Sequence, residues 1–175
     1  MKKERLVLGG GCFWCVEAVF SDVKGVLSAV SAYTGGARPN PSYQNVCTGA
    51  TGHAEVVDIT YDSEVISLAE LLDIFFVIHN PTTLNAQGAD KGTQYRSVIY
   101  YRDDEEKSLI LDVIKKQQEN FSQKIVTEVS EIEDVYPAEA YHQNYYKQNP
   151  SQGYCQVVIA PKIQKFMTKF PDKLF

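Results

Sequence analysis

Two cysteines three residues apart follow a run of glycines near the start of the chain. Cys12 and Cys15 close the stretch Gly9-Gly10-Gly11-Cys12-Phe13-Trp14-Cys15, between an apolar run over 6–8 and an amphipathic segment over 16–20. A strand, a glycine turn and a helix in this order place Cys12 at the N-terminus of the helix, where the helix dipole and free N–H groups favour a thiolate. Cys12 is therefore the candidate nucleophile.

A Cys-x-x-Cys pair can also be half of a zinc site, or two inert cysteines on one helical turn. Structural zinc usually takes four ligands from the protein. The remaining cysteines and histidines are scattered one per segment: Cys47, Cys155, His53, His79 and His142. The spacing favours a redox dithiol, and no metal is expected.

Five further residues are candidates for the site. Glu55 opens an otherwise apolar run, so it either faces solvent at a strand edge or, in a dry pocket, has a raised pKa and acts as a general acid. Tyr43 and Tyr95 stand in aperiodic segments, where they either pack or donate hydrogen bonds to a developing oxyanion. Phe13 and Trp14 are either core residues or an aromatic wall for a small apolar group of a substrate.

Apolar patterning predicts the elements that must hold these residues. The first part of the chain follows the order β-α-β-β-α-β-α, with long loops over 37–52 and 80–95. Further along, the pattern predicts a strand over 125–129, a short aromatic helix within 136–149, a strand over 154–159 that stops at Pro161, and a final amphipathic helix over 163–170. This order predicts an α+β two-layer sandwich, a ferredoxin-like core of a mixed sheet with helices on one side.

Composition narrows the classes of protein. The chain has 175 residues, 44% of them apolar, and a net charge of -5, which suits a single domain over 1–175. It has no Lys/Arg-rich run that would bind nucleic acid and no apolar run long enough to span a membrane. Neither nucleic acid nor a membrane is therefore expected as a partner. The basic start resembles a signal peptide, but its apolar run breaks at the glycines and then meets Glu17. We expect a cytoplasmic monomer.

Five motifs in order resemble the A-type peptide methionine sulfoxide reductases. They are Gly11-Cys12-Phe13-Trp14, Asn40-Pro41-Ser42-Tyr43 with Val46-Cys47-Thr48-Gly49, Gly52-His53-Ala54-Glu55, His79-Asn80-Pro81-Thr82-Thr83-Leu84-Asn85, and Gly92-Thr93-Gln94-Tyr95-Arg96-Ser97. The resemblance runs from about Leu6 to Tyr154. Enzymes of this type reverse methionine sulfoxide formation.

The resemblance implies an activity and a role for each candidate. It implies reduction of the S epimer of methionine sulfoxide, free or in oxidised proteins, without a metal or organic cofactor. If the roles known in the family apply to the matching positions here, Cys12 attacks the sulfoxide sulfur and Glu55 protonates its oxygen. Tyr43 and Tyr95 hold that oxygen. The aromatic pair encloses the S-methyl group, and Asp90 orders the site. The full set of implied site residues is Cys12, Phe13, Trp14, Tyr43, Glu55, Asp90 and Tyr95.

The chain departs from the family pattern in its recycling thiols. Many relatives have glycine where Cys15 stands, and they carry resolving cysteines in a glycine-rich tail. Here Cys155 leads into a β-branched run, which predicts a fixed strand. We therefore expect Cys15 to resolve the Cys12 sulfenic acid, with Cys155 as the alternative and Cys47 as a structural residue. Thioredoxin or another dithiol would reduce the resulting disulfide.

Two other functions are compatible with the cysteine pair. One is a general thiol–disulfide oxidoreductase, which leaves Glu55, Tyr43 and Tyr95 without a role. The other is a metal-binding or redox-sensing module without catalysis.

Overall fold

The computed structural model describes residues 1–174. In this part of the chain the fold is built on one six-stranded sheet. The strand order is β7-β6-β1-β3-β2-β8; β6 and β7 pair in parallel, and the other neighbours are antiparallel. A short hairpin, β4 and β5, lies outside it. The strands are β1 (Lys3–Gly9), β2 (Val26–Thr34), β3 (Ala54–Asp62), β4 (Ala86–Gln87), β5 (Asp90–Lys91), β6 (Val98–Tyr101), β7 (Glu128–Glu131) and β8 (Tyr136–Pro137).

Six α-helices accompany the sheet. They are α1 (Phe13–Phe20), α2 (Tyr43–Cys47), α3 (Leu68–Ile78), α4 (Asp104–Gln117), α5 (Tyr145–Gln148) and α6 (Ala160–Lys169). Both α2 and α3 begin at a serine whose side chain accepts from the third helical residue, so each has a capping box. None of the helices within residues 1–174 has the length and apolar character needed to cross a bilayer.

The main core lies between the sheet and its helices. Leu8, Val57 and Ile59 of the central strands belong to the same buried cluster as the apolar faces of α1, α3 and α6. The opposite face carries a smaller buried cluster around Val7 and Val56, covered by the segment after β7. Helices therefore cover one side only. The central order β6-β1-β3-β2 confirms the predicted α+β ferredoxin-like sandwich.

The predicted elements β-α-β-β-α-β-α occur in that order from β1 to α4, with the hairpin of β4 and β5 added inside the predicted loop over 80–95. The other predicted segments differ in part. The predicted loop over 37–52 contains α2, so Tyr43 begins a helix. The strand predicted over 125–129 forms at 128–131. Within 136–149 the structure has β8, a 3-10 turn over Ala140–His142 and α5.

The strand predicted over 154–159 is wrong. Cys155–Ile159 form a π-helical turn that continues directly into α6, with Pro161 in its first turn. The buried residues of this segment recur every three or four positions: Cys155, Ile159, Ile163 and Phe166. This is the spacing of a helix that packs one face on the core, and that packing outweighs the strand preference of Val157 and Val158.

Candidate active site

A glycine turn delivers Cys12 to the start of α1. Gly11 has φ +85, a conformation that side chains disfavour, and its amide donates to the carbonyl of Tyr95 at 3.1 Å. At Gly10 a Cβ atom would lie 2.8 Å from Cδ2 of His79, so only glycine lets β1 turn this close to α3. The turn therefore fixes Cys12 and brings Tyr95 beside it.

Cys12 and Cys15 share the first turn of α1, as predicted, and both are buried, with 7% and 1% of their surface exposed. The amide of Cys15 donates to the carbonyl of Cys12 at 3.1 Å, and the two thiols are close enough to shift each other's pKa. A disulfide between two cysteines needs such proximity.

The electrostatics of the pair differ from the sequence expectation. Burial raises the pKa of Cys12 well above its usual value, the hydrogen bond with Cys15 and the charge of Glu55 raise it further, and the Trp14 amide opposes the increase. The hydrogen bond from Cys12 lowers the pKa of Cys15, and the positive charge of Lys162 adds to the effect. In the resting pair, the thiolate is thus more stable on Cys15 than on Cys12.

Glu55 lies at the start of β3 with 1% of its surface exposed, so it does not face solvent at a strand edge. In the sheet it pairs with Tyr33 of β2. Oε1 accepts a hydrogen bond of 3.1 Å from the amide of Phe13, and Oε2 has no partner among residues 1–174. Burial raises the pKa of Glu55 to about 8, which the Phe13 amide partly opposes. Glu55 is therefore a neutral acid at pH 7.

Tyr43 and Tyr95 approach the same region from two different segments. Tyr43 is the first residue of α2, and its amide donates to Oε2 of Glu139 at 3.0 Å. Tyr95 ends a 3-10 turn over Thr93–Tyr95. Burial raises the pKa of both phenols, and the charge of Glu55 raises it further. Both hydroxyls therefore remain protonated donors near Glu55.

Phe13 and Trp14 belong to an aromatic cluster. Phe13 is fully buried, and its ring lies 6.4 Å from that of Tyr43. The half-buried Trp14 stacks on Tyr145, with 3.7 Å between ring centroids, and its Nε1 donates to Nδ1 of His142 at 3.0 Å. Phe13 is thus part of the core, and Trp14 presents an accessible edge.

Asp90 is linked to Cys15 through the hydroxyl of Tyr154. The hydroxyl of Tyr154 donates to Oδ2 of Asp90 at 2.8 Å and lies 3.8 Å from Sγ of Cys15. Sequence analysis did not single out Tyr154, because its partners are far away in the chain. The structure therefore connects Asp90 to Cys15 through the hydroxyl of Tyr154.

The other two cysteines differ from the sequence expectation. Cys47, expected to be buried and structural, is exposed at the end of α2, with its thiol in hydrogen-bonding contact with Tyr43. Cys155 is fully buried, and its thiol contacts Oε1 of Gln152 at 3.6 Å. Burial raises the pKa of Cys155, and the charge of Cys15 adds to the increase.

Two residues that sequence reasoning missed, Glu139 and Glu17, support the site. Glu139 accepts from the hydroxyl of Tyr33 at 2.9 Å as well as from the Tyr43 amide. Glu17, buried in α1, accepts from the amide of Asn144 at 2.8 Å and so holds the segment that carries His142. The only signal in the sequence was the density of aromatic and ionisable residues over 139–146.

No group of three or more His, Cys, Asp or Glu side chains that could hold a metal ion occurs within the described part of the chain. The metal-binding alternative has no ligand set among these residues.

Comparison with known proteins was made against families, sequences and solved structures. A family model described as peptide methionine sulfoxide reductase matches residues 4–174. Peptide methionine sulfoxide reductase MsrA of Polynucleobacter asymbioticus is 58% identical over 169 residues, which cover 95% of this chain and 89% of that protein.

Two solved structures of Mxr1 from Saccharomyces cerevisiae are similar to this chain. The reduced form has a TM-score of 0.82 at 36% identity and covers 88% of this chain and 90% of that one. The complex with Trx2 has a TM-score of 0.58 at 25% identity, covering 82% and 85%. These findings confirm the resemblance drawn from the five motifs, and the chain belongs to the peptide methionine sulfoxide reductase family.

Proposed function

We propose that this protein reduces the S epimer of methionine sulfoxide, free or within oxidised proteins, to methionine, and so repairs oxidative damage. The observation that carries the proposal is Glu55. It is a buried carboxylic acid with a pKa of about 8, one oxygen held by the Phe13 amide and the other free to donate a proton. Such an acid suits a reaction in which an oxygen must be protonated before it can leave.

In the first step, Sγ of Cys12 attacks the sulfur of the sulfoxide while Glu55 protonates the oxygen. The attack joins the two sulfurs, and the protonated oxygen then moves to Sγ of Cys12 as the substrate's sulfur–oxygen bond and the new sulfur–sulfur bond break. Methionine is released, and Cys12 is left as a sulfenic acid. The proton of Cys12 has an acceptor at hand, because the hydrogen bond between the thiols makes Cys15 the better thiolate. Burial of the pair keeps competing water away from the reacting sulfur.

Tyr43 and Tyr95 hold the sulfoxide oxygen. Both phenols stay protonated near Glu55, so each can donate a hydrogen bond to the negative charge that develops on oxygen. The S-methyl group lies against Phe13 and Trp14 on the opposite side. The oxygen and the methyl group both have fixed positions in this arrangement. The remaining substituent on sulfur, the methionine side chain that leads to the backbone, can then point out of the site in only one direction. This selects one sulfoxide epimer.

The sulfenic acid is resolved within the first turn of α1. Cys15 attacks Sγ of Cys12, water leaves, and a Cys12–Cys15 disulfide forms. Contact between the two thiols supports this assignment, as does the burial of Cys155 in the π-helical turn. Asp90 acts as a positioning residue because it orients Tyr154 against Cys15.

A dithiol protein of the thioredoxin type completes the cycle by thiol–disulfide exchange. The structure of Mxr1 in complex with Trx2 supports such a partner for a member of the same family.

The deciding experiment is turnover of the two methionine sulfoxide epimers with dithiothreitol, for the parent and Cys12→Ser. We expect the S epimer alone to be reduced, and the variant to be inactive. Equal rates on both epimers, or an active Cys12→Ser, would contradict the proposal. A parent that reduces protein disulfides but neither epimer would identify a general thiol–disulfide oxidoreductase instead.

A further inference from the structure

A solvent-open groove of about 1110 Å³ lies between the end of α3, the segment after α4 and the C-terminal helix. It is separate from the position proposed for the sulfoxide oxygen, since neither Glu55 nor Tyr43 nor Tyr95 lines it. One wall carries three lysines and the facing wall three amides: Lys162, Lys165, Lys169, Gln117, Asn120 and Gln123. We call this the lysine groove.

One side chain separates the lysine groove from the sulfur of Cys15. Tyr154 and Asp90 both line the groove. The hydroxyl of Tyr154 lies 3.8 Å from Sγ of Cys15 and is held by Asp90 at 2.8 Å. A movement of the Tyr154 ring would expose Cys15 to whatever occupies the groove.

The charge of the lysine groove contrasts with that of the whole chain. The protein has a net charge of -5, yet the groove gathers three lysines and only one carboxylate, that of Asp90, which already accepts from Tyr154. Lys162 is close enough to Cys15 for its charge to lower the pKa of that thiol. The groove therefore attracts anions to the side of Cys15 that Tyr154 covers.

We propose that the lysine groove binds a small anionic thiol of about tripeptide size, which reduces the Cys12–Cys15 disulfide by attacking Cys15. The volume is that of a small-molecule site, and the lysines match a ligand with carboxylate groups. The proposal rests on the proposed function, since it requires the disulfide formed there. It adds a second route of reduction, separate from the position of the sulfoxide.

The chemistry uses two thiols for each disulfide. The first thiolate attacks Sγ of Cys15, the Cys12–Cys15 bond breaks, and Cys12 leaves as a thiolate that takes up a proton. Cys15 is then joined to the small thiol in a mixed disulfide. A second thiolate attacks the outer sulfur of that bond, which releases the oxidised small thiol and returns Cys15 as a thiolate.

The kinetic test starts from protein oxidised in the absence of any sulfoxide, with the Cys12–Cys15 link verified by peptide mapping. Reduction is followed with glutathione and mercaptoethanesulfonate as anionic thiols, mercaptoethanol as a neutral one and cysteamine as a cationic one, at equal thiolate concentration. We expect the anionic thiols to react fastest and their advantage to shrink with added salt. Equal rates across the series would overturn the proposal, as would failure of the Cys12–Cys15 link to form.

Charge reversal tests the location. Lys162→Glu/Lys165→Glu should slow reduction by glutathione roughly tenfold more than reduction by mercaptoethanol, whose rate reports any effect of the Lys162 charge on Cys15 itself. The matched control is Lys3→Glu/Lys24→Glu, which makes the same change in net charge at exposed lysines outside the groove. If the control slows reduction by glutathione as much as the groove variant does, the effect comes from the overall charge of the protein. That result would overturn the proposed site.

Binding without chemistry gives a second measurement. S-methylglutathione has no free thiol, so its titration into reduced protein, followed by NMR, reports the groove alone. We expect saturable shifts around Tyr154 and α6 in the parent and none in Lys162→Glu/Lys165→Glu. Absence of binding at millimolar concentration would overturn the proposal. A different result would also overturn the proposal: Lys162→Glu/Lys165→Glu raises KM for an acidic sulfoxide peptide and has no other effect. The groove would then bind polypeptide substrate instead of a small thiol. The binding titrations of the parent and of the variant do not depend on sulfoxide turnover. Failure of the proposed function would appear in the epimer assay instead.

Discussion

The amide of Phe13 donates its hydrogen bond to Oε1 of Glu55, a residue 42 positions further along the chain. Phe13 is the first residue of α1, so its amide is one of the unpaired donors of the helix N-terminus. This donor holds the proposed acid and leaves the Trp14 amide to interact with Cys12. The helix N-terminus therefore orients both the acid and the nucleophile.

Glu55→Gln should slow methionine release in a single turnover by on the order of 100-fold while changing substrate affinity much less, because the proton is needed as the sulfur–oxygen bond breaks. In the parent the rate should fall above about pH 8, where Glu55 loses its proton. Rapid-quench measurements from pH 6 to 9.5 check both. A loss of less than about threefold at neutral pH would contradict the acid role.

The two tyrosines should compensate for one another in part. Tyr43→Phe and Tyr95→Phe should each reduce the single-turnover rate, and the double variant should reduce it more than either change alone, because one phenol can still hold the oxygen. Tyr101→Phe, on β6, is the matched control and should keep the parent rate. If both single variants retain the parent rate and the double variant does too, the tyrosines serve packing only.

The resolving thiol is tested by two serine variants. Cys15→Ser should release one equivalent of methionine in a single turnover but lose thioredoxin-driven cycling, because Cys12 loses its neighbouring thiol. Cys155→Ser should cycle at near the parent rate, since Cys155 is buried in the π-helical turn. Peptide mapping of the oxidised protein should show a Cys12–Cys15 link.

Two other outcomes would refute that assignment in different ways. A Cys12–Cys155 link, with cycling lost only in Cys155→Ser, would mean that the π-helical turn unwinds to bring Cys155 to Cys12. Loss of cycling in both variants would indicate a relay in which Cys15 passes the disulfide to Cys155.

Glu17 should make the fold less stable as the pH rises. Burial raises the pKa of Glu17 to about 7, so the native state keeps a proton that the unfolded chain releases above about pH 4.5. Its contribution to the free energy of unfolding falls between those values, by up to about 3 kcal/mol. Glu17→Gln lacks this loss, so its stability relative to the parent should rise from pH 4.5 to 7 and then level off.

Urea unfolding of both proteins across this pH range measures the difference. The comparison with Glu17→Gln is needed because His79, whose pKa burial lowers to about 3, contributes the opposite slope below pH 6.5 in both proteins. A difference that stays constant with pH would contradict the buried, protonated Glu17.

The fold was predictable where local patterns agreed with the packing. Alternating and helical periods over β1 to α4 are strong, and the order of elements was correct. The strand predicted over 154–159 was wrong because two signals conflict there. Val157 and Val158 favour a strand, but the spacing of Cys155, Ile159 and Ile163 is helical, and burial of that face on α1 and α3 decided the outcome.

The positions in the site depend on contacts between distant segments. Motifs near Cys12 and Glu55 were visible in the sequence, but the burial that raises the pKa of Glu55 to about 8 arises only in the folded chain, where Glu55 lies against the start of α1. Neither Tyr154 nor Glu139 could be recognised, because each acts on a residue about 100 or more positions away. The exposure of Cys47 likewise follows from α2, which the sequence analysis treated as a loop.

Trp14 is the single tryptophan of the chain, and it stacks on Tyr145 at 3.7 Å with its indole N–H bound to His142. The chain also has 11 tyrosines, so the indole must be excited selectively, at wavelengths longer than those that tyrosine absorbs. Tryptophan emission from this protein then originates entirely within the proposed substrate pocket. Any event that separates the indole from Tyr145, or changes the charge of His142, alters the emission without a background from other sites. Stopped-flow fluorescence can thus time substrate entry and thiol chemistry in the unlabelled protein.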